Sequence, residues 1–256
     1  MLFREVHIEK LTMLDYVKET PDVLKTNIEQ YTTLVDPLMK EVQQKEIKRI
    51  LLVASGSSHN ACYCARSFVE KVSGLEVRVI TPYTFTYYEN DIKETDLVLV
   101  VTQSGLSTNA IEALKIIKKK QCRAICLTGN KNSDVKDVAD VVIEYGVGEE
   151  LVGYVTKGVS SLALFLDLFA IAYSGKTEYL EELKKAVHLN EEMIGKATSF
   201  IQLHYKEFSS MSWVYSCGAG ANYGTALESA LKMGETIHIP SCCYEIEEYI
   251  HGPNLQ

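Results

Sequence analysis

The chain has 256 residues, 46% apolar and 23% charged, the balance of a folded globular protein rather than a disordered or fibrous one. Its formal net charge of -8 argues against non-specific nucleic-acid binding, which needs a basic surface, yet leaves room for an anionic ligand held by a few local donors. The first ten residues carry charges throughout and lack the apolar core of a signal peptide, so a cytoplasmic location is expected, without membrane or nucleic-acid partners.

Residues from about Thr12 to Lys48 read as helical, with Leu24, Ile28, Leu34, Leu38 and Val42 at helical spacing and Pro21 near the start of a second segment. The pattern then changes. Arg49 to Ala54 is a short apolar run entering Ser55-Gly56-Ser57-Ser58, followed by a helix to about Lys71. Val77 to Ile80 reads as a second strand and Asp96 to Val101 as a third, entering Thr102-Gln103-Ser104-Gly105 and a helix to Lys120. Arg123 to Leu127 and Val141 to Ile143 complete five strands. Continuously apolar strands separated by helices predict a doubly wound α/β domain, its five-stranded parallel sheet covered on both faces and its ligand at the C-terminal strand ends.

Val159 to Ser174 is the most apolar stretch and contains Asp167; it is short for a membrane span and right for a buried helix. A charged helical segment follows, from Lys176 to about Lys206. Trp213 to Ser216 then enters Cys217-Gly218-Ala219-Gly220 and a helix from about Asn222 to Met233. Setting Gly56 against Gly218 matches strand, turn and helix, so a second copy of the same unit begins here. Too little chain remains for its later strands, so the copy is either genuinely reduced or, as expected here, truncated. The predicted organisation is a helical segment (1–48), a first α/β domain (49–175), a helical linker (176–211) and a partial second domain (212–256).

Glycine permits a sharp strand-to-helix turn, and the amides and hydroxyls that follow gather where a helix N-terminus is electropositive. Ser and Thr cap helices in most proteins, so one such loop carries little weight. Two of them, at the ends of neighbouring strands, point to a phosphate. Neither GxxxxGK[ST] nor GxGxxG is present, which argues against a nucleotide. Seven cysteines show no paired CxxC spacing, so free thiols acting as small hydrophobes are expected, with no metal site.

The runs Leu52 to Ser58 and Thr102-Gln103-Ser104-Gly105-Leu106-Ser107 resemble the two phosphate loops of the sugar isomerase (SIS) superfamily. Gly218 to Lys232 is similar to its G-x-G-x-x-x-x-x-A-L-E-x-A-L-K segment, and His251-Gly252-Pro253 to its E-x-x-H-G-P element. The nearest relatives by this resemblance are the isomerase half of glucosamine-6-phosphate synthase and the fructosamine-6-phosphate deglycases. The resemblance implies that Ser57, Ser58, Thr102, Gln103, Ser104 and Ser107 hold a sugar phosphate. It also implies that the segment Glu150 to Lys157, with Gly153 and Val155, approaches the sugar. Glu235 would be the base that moves a proton between C1 and C2, Lys232 its orienting neighbour, and His251 the group that opens the ring, reaching in from the partner of a homodimer.

The stretch before Thr12 is too short for a glutamine-hydrolysing domain, so chemistry without glutamine-derived ammonia is expected, and the sequence departs from the synthase in carrying Val155 and Ile250 where the synthase has serine and lysine. The expected substrate is therefore a phosphorylated sugar or an amine adduct of one. The reaction is deglycation of a fructosamine 6-phosphate or isomerisation or deamination of an amino-sugar phosphate, without a cofactor; the alternative is a non-catalytic sugar-phosphate-binding regulator. His59, beside the first loop, is a further candidate for ligand contact, whereas His7, His188, His204 and His238 read as surface or packing residues. Glu245-Ile246-Glu247-Glu248 reads as a solvated face with Ile246 turned inward.

Overall fold

Five parallel strands form the main sheet: β1 (Arg49–Val53), β2 (Glu76–Ile80), β3 (Asp96–Thr102), β4 (Ile125–Thr128) and β5 (Val141–Glu144), in the order β2-β1-β3-β4-β5. The computed structural model describes residues 11–43 and 45–255; the charged N-terminal stretch and His7 lie outside them. Period-two alternation buries both faces of each central strand. Ile50 and Leu52 of β1 join one core, and Leu51 and Val53 join the other.

The first core is closed by α1 (Met13–Glu29), α2 (Tyr31–Val42), α3 (Gly56–Ser73) and α6 (Lys157–Ser174). The second is closed mainly by α5 (Thr108–Lys119), with Phe85 of the short α4 (Pro82–Tyr87). Helix α4 was not anticipated, although Thr81 caps it and Pro82 occupies its first turn, a favoured pairing. Pro21 lies buried inside α1, and the break between the first two helices falls at Gln30 instead. Burial of Tyr16, Leu24 and Ile28 along one face outweighs the proline penalty there.

Helix α6 is long and apolar enough to cross a membrane by length and composition, contrary to the expectation that it is too short. It is a core helix nonetheless, 61% buried and packed against α1, α2 and α3. The following charged segment breaks at His204 into α7 (Tyr179–Leu203) and α8 (Tyr205–Ser209).

The second unit consists of β6 (Val214–Gly218), α9 (Ala221–Lys232), a π-helical turn (Met233–Ile237), β7 (Ser241–Glu245) and α10 (Ile246–Ile250). Strand β7 pairs in parallel with β6, so the repeat extends one strand further than the sequence suggested. Its run of Ser, Cys, Cys, Tyr and Glu lacks the apolar character that marked the other strands. Aligning β6 on β1 puts Gly56 opposite Ala221 rather than Gly218; the left-handed turn at Gly56 has its counterpart at Gly220, both with φ of 57°. Ile246 is not turned inward: it opens α10 and is 49% exposed, while the Glu245 carboxylate caps the helix through the Glu247 amide.

Candidate functional site

Strand order reverses between β1 and β3, and the helices that follow them, α3 and α5, belong to opposite cores. In an open α/β sheet such a switch point leaves a crevice beyond the strand ends. A cleft of about 840 Å³ occupies that place. Ser55 to Ser58 form one wall, Thr102 to Ser104 the next, and the segment from Val147 to Gly153 with Val155 faces them. Of the phosphate candidates, Ser57, Ser58, Thr102, Gln103 and Ser104 line this cleft, as do Gly153 and Val155. Ser107 does not; its hydroxyl accepts the Ala110 amide as the N-cap of α5. No lysine or arginine is among the described lining residues, so amides and hydroxyls are the donors available to an anion.

Gln103 is held from two sides. The Tyr145 hydroxyl donates to its Oε1 at 3.1 Å, and its Nε2 donates to Glu150 Oε1 at 2.8 Å. Burial pushes the Tyr145 hydroxyl well above its ordinary range, which keeps it protonated as a donor. Glu150 also accepts the amides of Thr156 and Lys157, the latter at 2.7 Å, and so caps the N-terminus of α6.

Glu235 reaches the same cleft from the second unit. Helices α3 and α9 cross closely, and along the contact Ser57 and Asn60 of α3 face Glu228 and Lys232 of α9. The Ser57 hydroxyl donates to Glu228 Oε1 at 2.9 Å, and Asn60 Nδ2 donates to Glu228 Oε2 at 2.8 Å. Lys232 Nζ lies 2.9 Å from Ser57 Oγ, 3.0 Å from Glu228 Oε1 and 2.6 Å from Glu235 Oε2. One ammonium thus ties the loop from Ser55 to Ser58 to the candidate base. Glu235 itself stands on the π-helical turn, a local irregularity that recurs at functional sites.

His251 is not among the lining residues; it is exposed, and its Nδ1 lies 2.7 Å from the Glu247 carbonyl. His59 does not line the cleft either. Its ring packs on Tyr63 with centroids 5.0 Å apart, and burial lowers its basicity. Glu228, Tyr145 and Asn60 were missed as site residues, and Glu150 was read only as the start of the segment that approaches the sugar. Glu228 alone carried a visible signal, standing four residues before Lys232 at the spacing of a helical ion pair. Among the described residues no group of three or more His, Cys, Asp or Glu is placed to hold a metal ion.

The profile of the SIS domain family matches residues 45–172, half of the chain. The chain belongs to the SIS domain family. A glutamine–fructose-6-phosphate aminotransferase (isomerizing) from Clostridium perfringens is 29% identical over 255 residues, covering 94% of this chain and 42% of that protein. This SIS chain thus spans about two-fifths of the length of the curated relatives it matches. Among solved structures, a Clostridium difficile protein carrying the provisional label of phosphosugar isomerase superposes with a TM-score of 0.86 at 27% identity, covering 96% of this chain and 72% of the other. The C-terminal domain of glucosamine-fructose-6-phosphate aminotransferase from Francisella tularensis superposes with a TM-score of 0.79 at 24% identity, covering 94% and 71%. At that identity the likeness is one of fold.

Proposed function

We propose that the cleft binds a phosphorylated ketose or its amine adduct and that the chain is a phosphosugar-processing enzyme. The observation that carries this reading is the meeting of two hydroxyl- and amide-rich loops with Glu235 in one cleft. Phosphate sits against Ser57, Ser58, Thr102, Gln103 and Ser104, and the sugar extends toward Glu235 and the segment bearing Gly153 and Val155.

For a fructosamine 6-phosphate, Glu235 removes a proton from C1 while the C2 oxygen gains one, giving an enaminol. Return of a proton to C2 leaves a C1 imine, which water hydrolyses to the aldose phosphate and free amine. The same proton movement between C1 and C2 serves isomerisation or deamination of an amino-sugar phosphate. Lys232 keeps the Glu235 carboxylate oriented and offers positive charge to the oxygen that becomes anionic. Ring opening falls to His251, contributed by the partner of a homodimer in the cytoplasm, since the histidine of the same chain stands outside its cleft.

Calorimetric titration with fructose 6-phosphate tests the reading. Ser104→Ala is expected to abolish binding and Glu235→Gln to retain it, with turnover of fructoselysine 6-phosphate lost in both. An unaltered chain that binds no phosphosugar overturns the proposal. Binding without turnover of any phosphosugar favours a regulatory protein instead, a reading to which the position of His251 lends support.

A further inference from the structure

The wall of the cleft opposite the candidate phosphate loops is tied down by α1, a helix that carries none of the expected site residues. Tyr16, Glu19 and Asn27 share one face of that helix by their spacing. Each meets the segment from Gly146 to Lys157. Asn27 Nδ2 donates to the Gly146 carbonyl at 3.0 Å, and Gly146 accommodates it only because it lacks a Cβ, which would stand 2.7 Å from the Asn27 side chain. The Tyr16 hydroxyl accepts the Leu151 amide at 2.9 Å. Lys157, 2% exposed, points its ammonium at Glu19 Oε1, 2.9 Å away, with the Tyr16 ring 5.1 Å from Nζ. A buried cation needs such a partner, and the aromatic face adds to its hold. Lys157 Nζ also lies 3.9 Å from where a Cβ on Gly148, a lining residue, would stand.

We propose that Tyr16, Glu19 and Lys157 are positioning residues for the sugar end of the cleft. They hold the segment from Gly148 to Val155 at the distance a phosphosugar requires, without touching the ligand themselves. The inference rests on the reading of the cleft as a phosphosugar site, but its mechanical part stands apart from any ligand. Glu150 anchors the backbone of Lys157 while Glu19 anchors its side chain, so the segment is clamped where it enters α6. Tyr16 adds a third hold at the exposed tip, Leu151.

Two measurements on the full chain and on its Tyr16→Phe and Glu19→Gln variants test this. Hydrogen exchange read at single residues is expected to show the Leu151 amide exchanging about tenfold faster in Tyr16→Phe, the loss of one modest hydrogen bond. Amides from 148 to 155 are expected to follow in Glu19→Gln, with those of β1 and β3 unchanged. Unaltered exchange in this segment overturns the clamp whether or not any sugar binds. In calorimetry, both variants are expected to bind fructose 6-phosphate about tenfold more weakly while their affinity for inorganic phosphate stays the same. Equal weakening for both ligands would mean a general loosening of the fold and would sink the positioning role. Failure of the unaltered chain to bind either ligand would instead strike the functional reading, with the exchange result still deciding the clamp.

Discussion

Gly224 of α9 lies so near the backbone of α3 that a Cβ there would stand 2.5 Å from the Cys64 amide nitrogen and 2.8 Å from the Asn60 carbonyl oxygen. Backbone cannot yield as a flexible side chain can, so the two helices meet this closely only through glycine. Gly224→Ala is expected to push α9 outward and separate Lys232 from Ser57. The expected cost is about 1–3 kcal/mol of stability, as for other overpacked contacts, together with loss of turnover. Thermal unfolding followed by a phosphosugar assay checks it; an unchanged melting temperature would show that the helices can shift without strain.

Lys232 joins Glu228, Glu235 and Ser57, and its removal leaves two carboxylates without their cation. Lys232→Gln is expected to destabilise the chain by about 2 kcal/mol, the scale of a charged hydrogen bond left unmade. Turnover should fall far more than phosphosugar affinity, because the phosphate loops remain intact. Steady-state kinetics with parallel calorimetry separates the two effects, and an equal fall in both would place Lys232 on the phosphate rather than on the base.

At Gly158 an added Cβ would stand 1.8 Å from Gln103 Oε1. The obstructed atom is the end of a flexible side chain, so the fold survives while Gln103 is turned away from Tyr145 and Glu150. Gly158→Ala is therefore expected to keep its melting temperature within a few degrees and lose about tenfold in affinity for fructose 6-phosphate. Retained affinity would remove Gln103 from the binding set.

Asp167 carries a pH dependence of its own. Its Oδ1 is buried on α6 with no hydrogen-bond partner among the described residues, and burial pushes the carboxyl well above its ordinary value of 3.8. The folded chain therefore holds a proton that the unfolded chain releases near pH 4, and stability declines as pH rises from there toward the folded value. Asp167→Asn removes the titration. The variant is expected to match the parent at pH 4 and to be the more stable of the two at pH 8, measured by urea unfolding. A constant difference at both pH values would show that the carboxyl is hydrated in the folded chain.

The parts legible in the sequence were those with a local signature. Strands β1 and β3 announce themselves as apolar runs ending in glycine and hydroxyls, and their pairing at a switch point follows from the doubly wound pattern. The A-L-E-x-A-L-K segment led to Lys232 and Glu235, which the structure brings to Ser57 and the cleft. What escaped depended on tertiary contact. Glu150 reads as one charge in a loop until Gln103 and the start of α6 meet it. Strand β7 has no apolar run to mark it and owes its form to pairing with β6. Tyr16 sits in a helix that packs against the domain from another part of the chain, and only that packing brings its hydroxyl to Leu151.

The loops bearing Ser57 and Ser104 are neighbours because β1 pairs directly with β3, although β2 and two helices intervene along the chain. Nothing local brings Ser57 near Ser104. Their approach waits on a long-range pairing, and that of Glu235 waits on the docking of α9 against α3. Contacts of such separation form late and slowly in folding. The cleft is thus a mark of completed folding: a misfolded chain with every helix in place would still lack it.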